Sequence, residues 1–170
     1  MPGLNTFRRP PRMTIVNTVT GTSFRVQFNP TQIKEAISVN FARQQVPGLS
    51  HEVMQFVSTS NRTFAFDLFF NVASDTITSA APNFHHVVRS RLREFAYPRA
   101  SGGIADGGPP RAMLVFPGFI TITAYLTTLT FDHNRFNVRG SPASIMASTE
   151  WEEVREVIRL SGEVRGLQGE

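Results

Sequence analysis

The residues best suited to hold a metal or move a proton in this chain are its four histidines, His51, His85, His86 and His133. Their spacing speaks against both roles. His85 and His86 are adjacent, and on a helix they point about 100° apart, so one ion does not easily take both. No His-Glu-x-x-His occurs, and no cysteine is present to complete a zinc set; a site assembled from distant histidines is the minor alternative. The 13 acidic residues form no spaced pair on one expected face, as glycosidase chemistry requires. Serines are plentiful, but no Gly-x-Ser-x-Gly elbow surrounds any of them. The glycine-rich run Gly102–Gly108 lacks the terminal Gly-Lys-Ser/Thr of a phosphate loop and leads into prolines, not a helix. These residues read as non-catalytic, with no cofactor and no metal.

Charge is the remaining chemistry. Net charge is +4, and of 17 basic residues only Lys34 is a lysine. Arginine favours bidentate contacts with carboxylates or phosphates and stacking on aromatics; a GC-rich genome produces the same bias without physical meaning. Arg8, Arg9 and Arg12 lie in a proline-rich stretch, residues 1–12, that reads as an extended arm. It suits a strap across an acidic neighbour, or else a frayed terminus. Arg89 and Arg93 are four apart on an expected helix and so lie side by side. They can dock an acidic surface or phosphate, or simply face solvent. Gly102 and Gly103 belong to a flexible loop, Arg99 to Pro110, that suits a subunit contact.

These groups must be carried by a mainly β scaffold. A chain of 170 residues, 41% hydrophobic, fits one domain over 13–160 with a tail at 161–170. No apolar run approaches the roughly 20 residues of a membrane span, and the basic N-terminus has no apolar signal core. The absence of cysteine excludes disulfides and fits assembly in a reducing cytosol. Met13 to Phe28 reads as a hairpin turning at Thr20-Gly21-Thr22. Thr31 to Glu35 reads as a helical turn or loop, and Ala36 to Ala42 as a third strand through Ile37, Val39 and Phe41. Glu52 to Val57 is a short apolar approach, and Ser58 to Asn61 a polar connection. Thr63 to Phe70 alternates, with Phe64, Phe66, Leu68 and Phe70 on one face; Phe69 interrupts the other face, so that end is expected to be covered on both sides.

Residues 82–97 form the one convincing helix, with Phe84, Val87, Val88, Leu92 and Phe95 as its apolar stripe. Pro98 stops it. Arg111 to Phe116 and Phe119 to Phe131 are strands, and the apolar phase of the second slips at Thr127-Thr128. Such a slip implies a β-bulge. Asp132 to Pro142 reads as a turn-rich link, Ala143 to Trp151 as the last strand, and Glu152 to Leu160 as either strand or short helix. The sum is a β-barrel or sandwich with one flanking helix.

The turn Pro47-Gly48-Leu49-Ser50, then Gln55-Phe56-Val57, then Asn61-Arg62-Thr63 leading to Leu68-Phe69-Phe70-Asn71, follow Phe28-Asn29-Pro30 in fixed order. This succession resembles the tube-protein family of contractile injection systems and contractile phage tails, over residues 24 to 71 most closely. Further on, Pro109-Pro110, Pro117-Gly118-Phe119 and Gly140-Ser141-Pro142 are similar as well. The family's tryptophan before the glycine is replaced by Pro117, and its Tyr-Thr-x-Phe segment by Phe131 to Phe136. The resemblance implies a tail-tube-like barrel whose copies join into a ring, a hexamer, between the inner tube and the spike hub of the baseplate. It also implies tube and hub proteins as partners, location in the virion or particle, and assembly in the host cytoplasm. Larger members carry a peptidoglycan-binding module, which this sequence is expected to lack. Pro47, Gly48 and Leu49, with the arginine groups and Gly102 and Gly103, are the expected partner contacts. The free protein is expected to be monomeric and to order its arm and glycine loop on assembly. A different class, an Arg-rich barrel binding nucleic acid, calls for exposed aromatics on a basic sheet; the in-facing phase of most phenylalanines favours the tube reading.

Overall fold

The computed structural model describes residues 10–45, 47–48, 50–71, 84–98, 108–137 and 140–155. Nine strands and one helix occur among them: β1 (Thr14–Asn17), β2 (Ser23–Arg25), β3 (Ile33–Ala36), β4 (Val39–Gln44), β5 (Val53–Thr59), β6 (Thr63–Asn71), α1 (Phe84–Arg93), β7 (Ala112–Phe116), β8 (Ile120–Phe136) and β9 (Pro142–Glu153). Seven form one antiparallel sheet in the order β2-β1-β7-β8-β9-β6-β3, while β4 and β5 pair only with each other. The fold is mainly β with one helix.

Sequence alternation becomes a core through register. On the inner face the rows across β6, β9 and β8 run Phe64–Trp151–Leu126, Phe66–Thr149–Leu129, Leu68–Ala147–Phe131 and Phe70–Ile145–His133. The expected bulge is present. Register shifts between Leu126 and Thr128, and the Thr127 hydroxyl donates to the Glu150 carbonyl at 3.0 Å. Without that extra residue, Leu129 and Phe131 would point out of the core. The helix closes this face with Phe84, Val88, Leu92 and Phe95, all buried. Trp151 joins the two layers, stacked on Phe66 with centroids 6.4 Å apart and edge-on to Phe95 at 5.8 Å.

The sheet curls. Seven flat strands at about 4.8 Å spacing would hold β2 and β3 roughly 29 Å apart, yet the two are consecutive in the chain. Just beyond β2, the Gln27 carboxamide donates to the Asn71 carbonyl at 2.8 Å and accepts from the Asn71 N–H at 2.7 Å. Its amide thus takes the place of a backbone partner for β6. Next to it, Phe24 packs on Phe70 at 5.8 Å and Phe28 on Phe69 at 5.8 Å. The rim near β3 is fastened by charge. Arg62 bonds both Glu153 oxygens at 2.6 and 2.8 Å and Glu35 at 3.0 Å, and Arg155 reaches Glu153 at 2.8 Å.

Several sequence expectations are corrected. Thr31 to Glu35 is not helical: Ile33–Ala36 pairs along β6 from Phe66 to Thr63, so the polar residues there line a sheet edge. The third strand does not run from Ala36 to Ala42, because the chain leaves β6 after Ala36 and starts the separate pair at Val39. Glu52 to Asn61 contains a full strand to Thr59 in place of an approach and connection. Phe69 is 43% exposed instead of covered, and Val87 at 45% lies outside the helix stripe. The helix spans 84–93, followed by turns that bond Phe95 and Ala96 back to Leu92 and Arg93; residues 82 and 83 lie outside the described residues. Asp132 to Phe136 continues β8 in ladder with β9, and beyond it the Asn137 N–H donates to the Ser141 carbonyl at 2.9 Å. Polar residues mislead there because their strand has an outward face with nothing apolar to bury. Beyond Arg155 the ambiguous segment lies outside the described residues.

Candidate assembly surfaces

The β4–β5 pair is the exceptional element. Every one of its residues is exposed, although it carries Val39, Phe41, Val53, Met54, Phe56 and Val57, and Ile37 precedes it. Phe41 stands opposite Phe56, their rings 6.1 Å apart edge to face, and Met54 continues that face two residues on. A register shift at Asn40/Phe41 bends the pair. Its far end is tied by Gln45 donating to Glu52 at 3.1 Å and by the Arg43–Glu52 pair at 3.8 Å, both exposed. Between them Gly48 has φ 92, a left-handed turn that favours glycine. A two-stranded ribbon in water is marginal on its own, and one carrying this much apolar surface has the character of a docking element.

The Phe28-Asn29-Pro30 motif has a local role near the other end of β6, where Phe28 packs on Phe69. Asn29 accepts from the Met13 N–H at 2.8 Å and donates to the Pro11 carbonyl at 3.0 Å, which pins the backbone on both sides of Arg12. Arg12 is exposed from that anchored position.

The second charged surface belongs to α1. Arg93 lies over the Phe131 ring at 5.9 Å, and Arg89 is half-buried with its Nε unpartnered. His85 and His86, expected to diverge, have ring centroids 4.2 Å apart. Burial, together with His86, Arg89 and His133, holds His85 below the ordinary histidine pKa. Among the described residues no group of three or more His, Asp or Glu can hold a metal ion, and no described helix is long and apolar enough to cross a membrane.

Residues 12–156 match the family described as contractile injection system tube protein. The chain belongs to that family. Among solved structures, a chain of the cryo-EM structure of the anti-feeding prophage (AFP) baseplate, 6-fold symmetrised, is similar over 89% of this chain and 95% of its own. Identity there is 11% and the TM-score 0.36, too low to carry an argument. No curated protein matches. As a contractile injection system tube protein, the chain has a structural role in a contractile particle, and its exposed surfaces are read as contacts.

Of the expected contact residues, the structure places Pro47 and Gly48 at the exposed end of the β4–β5 ribbon. Arg12 lies exposed between Pro11 and Met13, both held by Asn29; Arg93 lies over Phe131 of β8, and Arg89 is half-buried on α1. Arg8, Arg9, Leu49, Gly102 and Gly103 lie outside the described residues. The described contact residues do not form one patch: the ribbon and the helix are separate surfaces. Sequence reasoning missed the apolar residues of the ribbon itself. Their signal was present, since Val53-Met54 and Phe56-Val57 place apolar groups on both faces of a strand, which no single core can cover.

Proposed function

We propose that this tube-family protein is a baseplate subunit that initiates the tube, joining the inner tube to the spike hub within a ring of six copies. The observation that carries this reading is the two-faced apolar β4–β5 ribbon. Covering Phe41, Phe56, Met54 and Val57 is worth about 1.5–3 kcal/mol per side chain before the costs of association. An adjacent copy in a closed ring offers a repeated surface for such a ribbon and hides sheet edges that would otherwise aggregate. The ordered succession from Phe28-Asn29-Pro30 through Pro47-Gly48 to Leu68-Phe69-Phe70-Asn71 supports the adaptor position over the repeating tube. Residues 1–12 act as a strap over a neighbour, anchored where Asn29 holds Pro11 and Met13.

Tagged chains located by gold labelling on purified particles test the position. Label confined to the baseplate end of the tube supports the adaptor role. Label along the whole tube makes this the main tube protein, and particles without label remove the assignment to the tail.

A further inference from the structure

Two surfaces of this chain carry the same spacing with opposite charge. On the ribbon, Phe41 and Arg43 lie on one face of β4, two residues apart, in register with Phe56 and Met54 of β5. On the outer face of the sheet, Phe69 and Asp67 lie on one side of β6, also two residues apart. In both strands the step from ring to charge is about 6.6 Å. Phe28 packs on Phe69 with centroids 5.8 Å apart, as Phe56 packs on Phe41 at 6.1 Å. Met146 is in register with Phe69. Each surface thus holds an aromatic pair, a methionine and a charge, all exposed except the half-buried Met146.

Neither charge is satisfied within the chain. Each described glutamate has a side-chain partner: Glu35 and Glu153 hold Arg62, Glu52 takes Gln45, Glu94 Asn17, Glu150 Thr128 and Glu152 Asn61. Among the described residues the carboxylates of Asp67 and Asp132 have none. Arg43 meets only Glu52, at 3.8 Å with both side chains exposed, a contact of little strength. Beside Asp67 a cavity of about 290 Å³ opens on the outer face, lined in part by the small side chains of Ala65 and Ser148. Its charged residues are Asp67, Glu150 and Lys34, two carboxylates against one ammonium, so one more cation balances it.

The ribbon does not cover this face in its own chain. It joins β6 at Thr63, about 20 Å along the strand from Phe69, and both surfaces are exposed. We propose that the ribbon of one copy docks on the outer sheet face of the next. Phe41 and Phe56 then lie on Phe28 and Phe69, and the Arg43 guanidinium enters the cavity to meet Asp67. This docking rests on the reading of the ribbon as a contact between copies, and it names the receptor. A planar guanidinium pairs with a carboxylate through two parallel hydrogen bonds, which fixes the register of the contact. Ribbon and receptor are different patches of one chain, so the contact is head-to-tail, and its repetition gives a ring or an open helix and not a two-fold dimer.

The chain has no cysteine, so introduced thiols report this contact alone. The same two-residue step places Gln45 over Ala65. The double variant Gln45→Cys, Ala65→Cys is expressed in cells that make whole particles, treated with a short thiol–thiol cross-linker and blotted. Dimers and longer ladders are expected from it, and neither from the single cysteine variants. Arg43→Asp or Asp67→Arg, added to that background, should lower the cross-linked yield at least about tenfold. The two together should restore it to within about twofold. Arg43 and Asp67 are exposed, so these variants should melt like the parent chain. A missing ladder overturns the proposal. So does cross-linking by Gln45→Cys alone, which would place ribbon on ribbon, or by Ala65→Cys alone, which would place sheet on sheet. Loss in both charge variants without recovery in their combination overturns the pairing of Arg43 with Asp67. The blot reads contact between copies wherever they lie. A baseplate label without a ladder therefore removes only this docking, and a ladder without a baseplate label removes only the adaptor position.

Discussion

The curled sheet and the β4–β5 ribbon are made from the same kinds of residue with opposite results. In the sheet, Phe64, Phe66 and Phe70 are buried beside Trp151, Thr149 and Ile145. In the ribbon, Phe41 and Phe56 also pair across two strands, yet both stay exposed. The strands of the sheet have a helix and the sheet's own curvature across from their apolar face. The ribbon has only its own two strands. Apolar alternation thus reports the pairing of strands, and does not by itself say that the face is covered by the same chain.

The largest effect that separates the two regions is expected at Trp151. It is fully buried and touches both the β6 layer and the helix, so Trp151→Ala should cost about 3–5 kcal/mol, read as a lower midpoint in urea unfolding. A loss under about 1 kcal/mol would mean that the helix is not held to the sheet through this ring.

Next comes the charged rim. Glu153 is 8% exposed, and hydrogen bonds from Arg62 and then Arg155, outweighing the cost of burial, pull its carboxyl pKa down to about 2. The folded value lies below the unfolded one, so the contribution is complete above the ordinary carboxylate range and is lost as pH falls from about 5 towards 2. Glu153→Gln should cost on the order of 2 kcal/mol near neutral pH and flatten the acid limb of the stability profile. The ribbon carries its exposed Arg43–Glu52 pair at 3.8 Å, and Glu52→Gln should leave that limb unchanged. An unaltered limb in Glu153→Gln would assign acid sensitivity elsewhere.

A smaller effect is expected where the sheet closes on itself. Gln27→Ala removes both bonds to the Asn71 backbone and should cost about 1–2 kcal/mol. Faster amide exchange should appear at Asn71 and at Phe24–Val26, with β8 and β9 unaffected. Uniform acceleration across all strands would show that closure is global in its effect.

Much of this body was legible from the sequence because period-two alternation and helical spacing report directly on burial. The bulge at Thr127-Thr128 followed from the phase of Ile122 and Ala124 against Leu129 and Phe131. Where residues serve a face with nothing apolar against it, the pattern fell silent, as along Asp132 to Phe136. Glutamine and asparagine side chains standing in for backbone, at Gln27 and Asn29, left no periodic trace. The split between β3 and β4 was hidden because Ile37, Val39 and Phe41 alternate like a core strand. At the contact surfaces, sequence pointed to Pro47-Gly48 and to the pair Arg89 and Arg93. The seat of Arg93 over Phe131 joins two elements that share no local pattern, so no sequence periodicity announces it.

The smallest effect on folding is the most informative about assembly. Phe56 is 59% exposed and touches chiefly Phe41, so Phe56→Ser should shift stability by no more than about 0.5 kcal/mol. The proposed docking of the ribbon on a neighbour implies that incorporation into particles should fall at least tenfold, a difference of about 1.4 kcal/mol in binding. Gel quantitation of purified particles against soluble chain measures the second quantity, and urea unfolding of the soluble chain the first. A variant that unfolds easily would place the ribbon against the body of its own subunit. One that folds and assembles normally would leave the apolar ribbon outside every contact in the particle. Only normal folding with failed incorporation fits a surface whose partner is another chain.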